Sequence, residues 1–154
     1  MLAEKRLEEL GIALPEDSEA KAMYIPVKQS GRLLFVSGQI PVKGPEMPYR
    51  GRVGAELSVE KAQEAARLCV INMLAAVRRH TGDLDRVSGV VKLQAFVSSA
   101  PGFDRQHIVA NAASQLLFDV FGERGRHART AVGTSQLPLD MPVEIEAIFE
   151  LEEE

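Results

Sequence analysis

An arginine and a glutamate near the C-terminal end are the best candidates for chemistry in this 154-residue chain. Arg129 lies near the start of one predicted strand, and Glu144 lies fifteen positions later on the next, beyond a turn at 137–142. If these strands pair as a hairpin, the two side chains fall near one end of the same sheet. A guanidinium presents a planar fork that matches a carboxylate, and a nearby carboxylate can hold or deprotonate water, or protonate a carbon. The pair therefore suits a small anionic substrate.

Both residues also have ordinary structural interpretations. Arg129 can be a salt-bridge residue on the surface or at an interface, and Glu144 can be one charged side chain on a solvated strand face. The segment Ser37-Gly38-Gln39, at the end of an earlier strand, is equally ambiguous because Gly38 can simply permit a tight bend. The pattern alone leaves these alternatives open.

Other common chemistries lack their sequence signatures. The chain contains no P-loop, no dinucleotide-binding GxGxxG, no HExxH and no GxSxG motif. His80, His107 and His127 are far apart, so we interpret them as surface or helix-end residues rather than metal ligands. Cys69 is the single cysteine, which excludes an intrachain disulfide and a thiolate cluster, and its helical position predicts a small core residue. We expect neither a metal nor a cofactor.

Composition indicates one small globular domain over residues 1–154, with 45% hydrophobic and 26% charged residues. The net charge of −4 repels phosphate backbones, and the densest basic run, Arg124, Arg126 and Arg129, is accompanied by Glu123. We therefore expect no nucleic-acid partner. The N-terminus lacks the apolar run of a signal peptide, and no stretch approaches the ~20 apolar residues that span a bilayer. This favours a cytoplasmic protein without membrane contact.

Hydrophobic periodicity predicts the order β-β-α-β-α-β-β after a helical leader. The predicted elements are a leader helix at 3–11 with a connector to residue 20, strands at 23–28 and 33–40, an irregular loop at 41–54, a helix at 58–80, a strand at 87–98, a helix that Asp104 caps and Gly122 ends, and strands at 128–136 and 142–151. Two helices on one face of a mixed sheet make an α+β two-layer domain, in which the first helix links strands by a right-handed parallel crossover.

One face of this predicted sheet has no cover within the chain. The strand at 33–40 is apolar on both faces, yet both helices pack on the same side. An uncovered apolar face needs a partner, and a second copy of the chain is the simplest one. Periodicity does not say whether two, three or four copies meet.

The chain resembles the RidA/YjgF family, also labelled endoribonuclease L-PSP-like, over about residues 22 to 150. The resemblance rests on segments in the family's usual order: Tyr24, residues 35–41, 82–84 with 91–92, 127–130, and 137–138 with 143–147. It implies a chorismate-mutase-like subunit of a homotrimer, with sites between subunits. It also implies cofactor-free hydrolysis of enamines and imines, such as 2-aminoacrylate, to 2-keto acids and ammonia.

The resemblance further implies roles for seven residues. The family's carboxylate-binding arginine falls on Arg129, and its water-associated catalytic glutamate falls on Glu144. Other predicted substrate-binding residues are Tyr24, Ser37, Gly38, Asn111 and, through its backbone N–H, Ala131. The Asn111 assignment requires one extra residue before Arg129.

Several departures from the family pattern indicate a divergent branch. Ala131 stands where many members have a cysteine, and His127 stands where proline is common; the N-terminal leader and the 41–54 loop are additions. The substrate is therefore open, and two other functions compete: a small-carboxylate-binding or regulatory protein without turnover, and an endoribonuclease or translation inhibitor. Chorismate mutation would rest on fold analogy alone.

Overall fold

The computed structural model describes residues 2–16 and 23–154. Residues 17–20 of the predicted connector lie outside the described residues. The helices are α1 Leu2–Glu9, α2 Val59–Thr81 and α3 Gln106–Phe121, and the strands are β1 Val27–Ser30, β2 Leu33–Gln39, β3 Val87–Ser98, β4 Ala128–Thr134 and β5 Val143–Leu151. The predicted order of elements is confirmed, as is the α+β fold with one mixed sheet.

Local sequence explains where the long helix α2 starts and stops. The Ser58 hydroxyl caps the N-terminus by accepting a hydrogen bond from the Lys61 amide at 3.2 Å. Gly82 ends the helix at φ 81°, a left-handed conformation that glycine adopts without steric cost. The apolar stripe of α2 faces the sheet, and Cys69 on that stripe is completely buried, as predicted.

The strand order in the sheet is β1-β2-β5-β3-β4. The predicted hairpin of the last two strands is wrong, because β3 lies between β4 and β5. β3 pairs in parallel with β4 and antiparallel with β5. The β3–α3–β4 unit is a parallel crossover that places β4 at the sheet edge, and β5 inserts on the other side of β3, between β3 and β2.

The leader forms part of the core. Ala3 and Leu7 of α1 are buried, and α1 packs against α3. The Ala3 amide donates to the Asp85 carboxylate at 2.8 Å, and Glu4 pairs with Arg78 on α2 at 3.3 Å. The predicted leader helix is confirmed and belongs to the same layer as the other two helices.

Two predicted boundaries are wrong. β1 begins at Val27 rather than at residue 23, because Pro26 has no N–H to donate to the ladder; its carbonyl still accepts from the Ser37 amide. Asp104 does not cap α3, whose N-cap residue is Arg105 without a side-chain hydrogen bond. Among the described residues, no helix is long and apolar enough to cross a bilayer.

The second face of the sheet carries exposed apolar side chains. α2 and α3 pack on the opposite face, where Leu93, Ala95 and Val97 of β3 are completely buried, and α1 packs against α3. On the uncovered face, hereafter the open face, Phe35 is 43% exposed and Val132 39% exposed. The predicted uncovered face is therefore present in the folded chain.

Candidate active site

The predicted site residues fall into two groups on opposite faces of the sheet. Arg129 is level with buried Leu93 of β3, which places it on the helix-covered face at the sheet edge. Glu144 is level with Phe96, which alternates with Leu93 and belongs to the open face. The two Cα atoms are separated by two strand spacings, roughly 10 Å, and by three residues along the strands, roughly another 10 Å. Within one chain, they cannot act on the same small molecule.

The first group, which we call the Arg129 cluster, consists of Arg129, Asn111, Ser114 and His127. Arg129 Nη1 donates to Asn111 Oδ1 at 2.9 Å and to Ser114 Oγ at 3.2 Å. Asn111 and Ser114 lie three residues apart on α3, so both face the edge strand that carries Arg129. Both acceptors are neutral, and no carboxylate among the described residues pairs with this arginine. Its charge is therefore oriented but not neutralised.

The remaining donors of Arg129 are suited to a carboxylate. A guanidinium has five N–H groups, and the two hydrogen bonds above use those on Nη1. Nε and Nη2 lie side by side and have no hydrogen-bond partner among the described residues. This pair of donors can bind both oxygens of one carboxylate in the parallel arrangement that arginine favours.

His127 extends the Arg129 cluster on the side away from Asn111. Its Nδ1 lies 2.6 Å from the Gly125 carbonyl oxygen, and its Nε2 lies 2.9 Å from Ser114 Oγ. The pKa of His127 is lowered, chiefly because burial disfavours the cation and also because Arg129 repels it, although the Gly125 carbonyl opposes the shift. His127 is thus half-buried and hydrogen-bonded, so its interpretation as a surface residue is wrong. His80 and His107 are exposed, as predicted.

A concave surface opens beside this cluster. It encloses about 360 Å³ and is lined by Ser114, Phe118, Gly125, Arg126, His127 and Arg129. The Arg126 guanidinium stacks on the Phe118 ring at 5.7 Å, and Arg126 also pairs with Glu123 at 3.2 Å. The lining is cationic next to Arg129 and aromatic further away, so it can accept a small anion with an apolar substituent.

The second group, the Glu144 cluster, consists of Glu144, Ser37 and Gly38. The ladder between β2 and β5 shifts between Val36 and Gln39, so Ser37 and Gly38 bulge opposite Glu146. A Cβ atom at Gly38 would come within 2.8 Å of Glu144 Oε1. Glycine is therefore the residue that allows the carboxylate to lie against the backbone of β2.

The environment of Glu144 favours its protonated form. Its side chain is half-buried, and among the described residues no cation pairs with it. Burial raises the pKa of Glu144, and the negative charge of Glu146 raises it further. A raised pKa moves the titration of a carboxyl group toward neutral pH, which is the direction that favours a general acid or base.

Ser37 precedes Gly38 on β2, and Tyr24 lies on the segment that leads into β1. The Ser37 hydroxyl donates to the Ile25 carbonyl at 2.7 Å, so its oxygen is left as an acceptor. Tyr24 precedes Ile25 and is 56% exposed. Ser37 also lines a groove of about 270 Å³ on the open face, together with Lys28, Lys92 and Glu146.

The structure thus brings the predicted residues together in two sets. Asn111 contacts Arg129 despite the extra residue between them, and Ala131 lies on the same face two residues further along β4. Sequence reasoning missed Ser114 and misinterpreted His127. The three-residue spacing of Asn111 and Ser114 on a predicted helix was a usable signal for Ser114. Within the described ranges, no group of three or more His, Cys, Asp or Glu side chains forms a possible metal site.

Comparison with known proteins identifies relatives of this fold and sequence. A family model described as "YjgF/chorismate_mutase-like, putative endoribonuclease" matches residues 4–151. Protein TCP17 of Trypanosoma cruzi is 46% identical over 146 residues, which cover 94% of this chain and 91% of that protein. A RutC family protein of Pasteurella multocida is 29% identical over 125 residues, which cover 81% of this chain and 84% of the relative.

Two solved structures share the fold over almost the whole chain, including the leader helix. Atu1372 of Agrobacterium tumefaciens has a TM-score of 0.91 at 47% identity and covers 98% of this chain and 93% of its own. A Shewanella oneidensis protein, whose structure is described as that of a "putative endoribonuclease", has a TM-score of 0.94 at 30% identity and covers 98% and 100%. Because the family model spans the core that carries both clusters, this chain belongs to the YjgF/chorismate-mutase-like family, the RidA family that its sequence resembles.

Proposed function

We propose that this protein hydrolyses reactive enamines and imines of the 2-aminoacrylate type to 2-keto acids and ammonia, without a cofactor. The observation that carries the proposal is the state of Arg129. Its guanidinium is held by two neutral acceptors, and its Nε and Nη2 donors have no partner among the described residues. That arrangement favours recognition of a small carboxylate.

The active site in this proposal is shared between copies of the chain. The Arg129 cluster and the Glu144 cluster lie on opposite faces of one sheet. Each chain therefore contains both clusters, but a small substrate cannot contact both clusters of the same chain. A head-to-tail interface brings different surfaces of two copies together, and such interfaces close into rings when the rotation permits. The exposed apolar residues of the open face, including Phe35 and Val132, supply a surface for such contact. The expected assembly is a homotrimer.

Substrate binding is the first step of the proposed mechanism. Nε and Nη2 of Arg129 hold the substrate carboxylate, with backbone N–H groups near Ala131 and Gly38 as further donors. The adjacent imine carbon then faces the Glu144 cluster of the neighbouring copy. Fixing both reactants in this way supplies much of the catalysis, because imine hydrolysis is already facile in water.

Glu144 acts as the general acid and the general base of the reaction. In its protonated form it delivers a proton to the terminal carbon of an enamine, which gives the imine. As a carboxylate it takes a proton from a water molecule while the water oxygen attacks the imine carbon. Protonated Glu144 then gives its proton to the nitrogen of the tetrahedral adduct, and the carbon–nitrogen bond breaks with its electron pair leaving on ammonia. The hydroxyl proton of the adduct returns to Glu144 as the carbonyl group of the keto acid forms. Ser37 Oγ, as an acceptor, and Tyr24 hold the water or the leaving amine.

Hydrolysis of RNA is the competing function suggested by the description of the Shewanella relative. The net charge of −4 disfavours binding of a polyanion. His127 also lacks the pairing expected of acid–base catalysis on a phosphodiester, since its ring nitrogens are committed to Ser114 and Gly125. Digestion of a structured RNA by a nuclease-free preparation separates the two functions.

Imines generated in place test the proposal. An amino-acid oxidase converts a panel of amino acids to imines, and semicarbazide traps whatever imine survives. We expect the wild-type protein to lower the trapped fraction and to accelerate keto-acid release. The Arg129→Lys variant is expected to lose this effect, whereas Arg105→Lys, a matched change at an exposed arginine outside the concave surface, is expected to keep it. Equal trapping with and without the wild-type protein across the panel would contradict the proposal. In that case, binding of pyruvate without turnover would favour the carboxylate-binding alternative.

A further inference from the structure

A chain of hydrogen bonds leads from Arg129 through Ser114 and His127 to the Gly125 main-chain carbonyl. The predicted site included neither Ser114 nor His127. Arg129 Nη1 donates to Ser114 Oγ, which lies 2.9 Å from His127 Nε2, and His127 Nδ1 lies 2.6 Å from the Gly125 oxygen. The hydrogen-bond chain therefore runs through His127, the position at which proline is common in the family.

The direction of every bond in this chain follows from the Gly125 carbonyl. A carbonyl oxygen can only accept, so His127 Nδ1 carries the proton. In the neutral ring, Nε2 is then an acceptor, and Ser114 must donate its hydroxyl proton to it. The lone pairs of Ser114 Oγ are consequently left for Arg129.

A serine hydroxyl without such an acceptor rotates freely. Its proton can then point toward Arg129, which is also a donor, or toward Asn111 Oδ1, which would compete with Arg129 for the same oxygen. Neutral His127 prevents both arrangements. Its burial favours the neutral ring, and the nearby Arg129 charge favours it as well.

We propose that His127 and Ser114 are positioning residues that fix the Arg129 guanidinium for carboxylate binding by setting the direction of the hydrogen bonds between them. The inference rests on the proposed function in one respect, since it takes Arg129 as the carboxylate anchor. Neither residue has a donor left for the substrate carboxylate, because the His127 N–H is committed to Gly125 and the Ser114 hydroxyl to His127. Their effect is on how well Nε and Nη2 of Arg129 are presented to it.

The test measures binding of pyruvate, an unreactive 2-keto acid, by titration calorimetry. His127→Leu removes the acceptor for Ser114, and Ser114→Ala removes the acceptor for Arg129; each is expected to weaken binding about threefold to tenfold, the effect of one lost hydrogen bond. His127→Gln offers an amide oxygen near the position of Nε2 and an amide N–H, and it is expected to stay within about twofold of wild type. His80→Leu, a change at an exposed histidine in the last turn of α2, is the matched control and is expected to have no effect.

A second readout separates positioning from general damage to the fold. In wild type, ¹⁵N NMR of the imidazole is expected to show the Nδ1–H tautomer for His127, and Ser114→Ala is expected to shift the Nε2 resonance while leaving Nδ1 protonated. Turnover of imines, where present, is expected to show a raised KM with kcat nearly unchanged, because the carboxylate is bound equally in the ground and transition states.

The outcomes distinguish this inference from the proposed function. If Arg129→Lys weakens pyruvate binding but His127→Leu and Ser114→Ala do not, or if His127 carries its proton on Nε2, the positioning role is wrong and the proposed function stands. If the binding and NMR results are as expected but no imine is hydrolysed, the deaminase proposal fails and the positioning role stands. If Arg129→Lys binds pyruvate as wild type does, both fail.

Discussion

The Arg129 cluster and the Glu144 cluster hold their charged groups in opposite ways. Arg129 lies at the sheet edge and is fixed by hydrogen bonds to the neutral acceptors Asn111 and Ser114. Glu144 lies on a central strand, has no cation beside it among the described residues, and is fixed by close packing against Gly38. One cluster keeps a charge available, and the other makes a charge costly.

This difference matches the two tasks that imine hydrolysis requires. A group that binds an anion must stay charged and must not be neutralised before the substrate arrives. A group that gives and takes protons works best with a pKa near the working pH, and burial moves the pKa of a carboxyl group in that direction. The sheet edge suits the first task because it is open to anions, and the half-buried position of Glu144 suits the second because it disfavours the carboxylate.

The largest expected effect is on proton transfer. Glu144→Gln keeps the shape of the side chain but removes its acid–base capacity, so we expect kcat for imine hydrolysis to fall about 10²- to 10⁴-fold. Glu146→Gln, the same change two residues away on the same face, is expected to retain most activity. Steady-state kinetics on oxidase-generated imines measures both. Equal losses in the two variants would show that Glu144 has no special role.

The next largest effect is on anion binding. Arg129→Lys replaces two parallel donors by one ammonium, and we expect kcat/KM to fall about 10- to 150-fold, the effect of a lost charge-assisted hydrogen bond. The loss is expected mainly in KM, in contrast to the kcat effect at Glu144. If Arg129→Lys instead lowered kcat alone, the division of tasks between the clusters would be wrong.

A smaller effect is expected where glycine admits the carboxylate. Gly38→Ala places a methyl group against Glu144 Oε1 and must displace that side chain, so we expect about a tenfold loss of kcat with little change in KM. Gly89→Ala is the matched control, since the nearest atom to its added Cβ is at an ordinary 3.6 Å. Unchanged kcat in Gly38→Ala would mean that the position of Glu144 in this structure is not the active one.

The smallest effect concerns stability and pH. The raised pKa of Glu144 means that the folded protein binds this proton more tightly than the unfolded chain does. Its contribution to the free energy of unfolding therefore falls as pH rises from about 4 toward the raised value, and stays low above it. The Glu144→Gln side chain does not ionise, so the free energy of unfolding of this variant lacks that decrease. In urea unfolding across this pH range, the free energy of unfolding of the variant is expected to rise relative to that of wild type as pH rises. A difference that stays constant with pH would contradict the raised pKa of Glu144.

The sequence was sufficient to predict the elements, for reasons that are local, while the roles of the candidate site residues stay predictions. The helix bounded by Ser58 and Gly82 follows from capping and periodicity, and β3 follows from the alternation in its second half, at Leu93, Ala95 and Val97. The pairing of the strands was not predictable in the same way. β5 can pair with β4 or lie on the other side of β3, and the choice depends on the crossover through α3. No local sequence pattern near Arg129 or Glu144 predicts that crossover.

The same limitation applied to the contacts of Arg129. Its identity as a candidate came from residue type and family resemblance, but its partners Ser114 and His127 come from two different elements that meet only in the folded chain. The opposite faces of Arg129 and Glu144 likewise follow from register, not from the fifteen residues between them. Sequence reasoning therefore named candidate residues but predicted the wrong arrangement for Arg129 and Glu144.

Subunit mixing tests most directly the claim that the two clusters from different copies form one site. Arg129→Ala and Glu144→Gln are each expected to be inactive alone. When equal amounts are unfolded, mixed and refolded together, a random ring should contain about a quarter of its sites with both residues intact, and imine hydrolysis should recover to about that fraction of wild type. Mixed assemblies with no more activity than the average of the two parents would contradict the shared site.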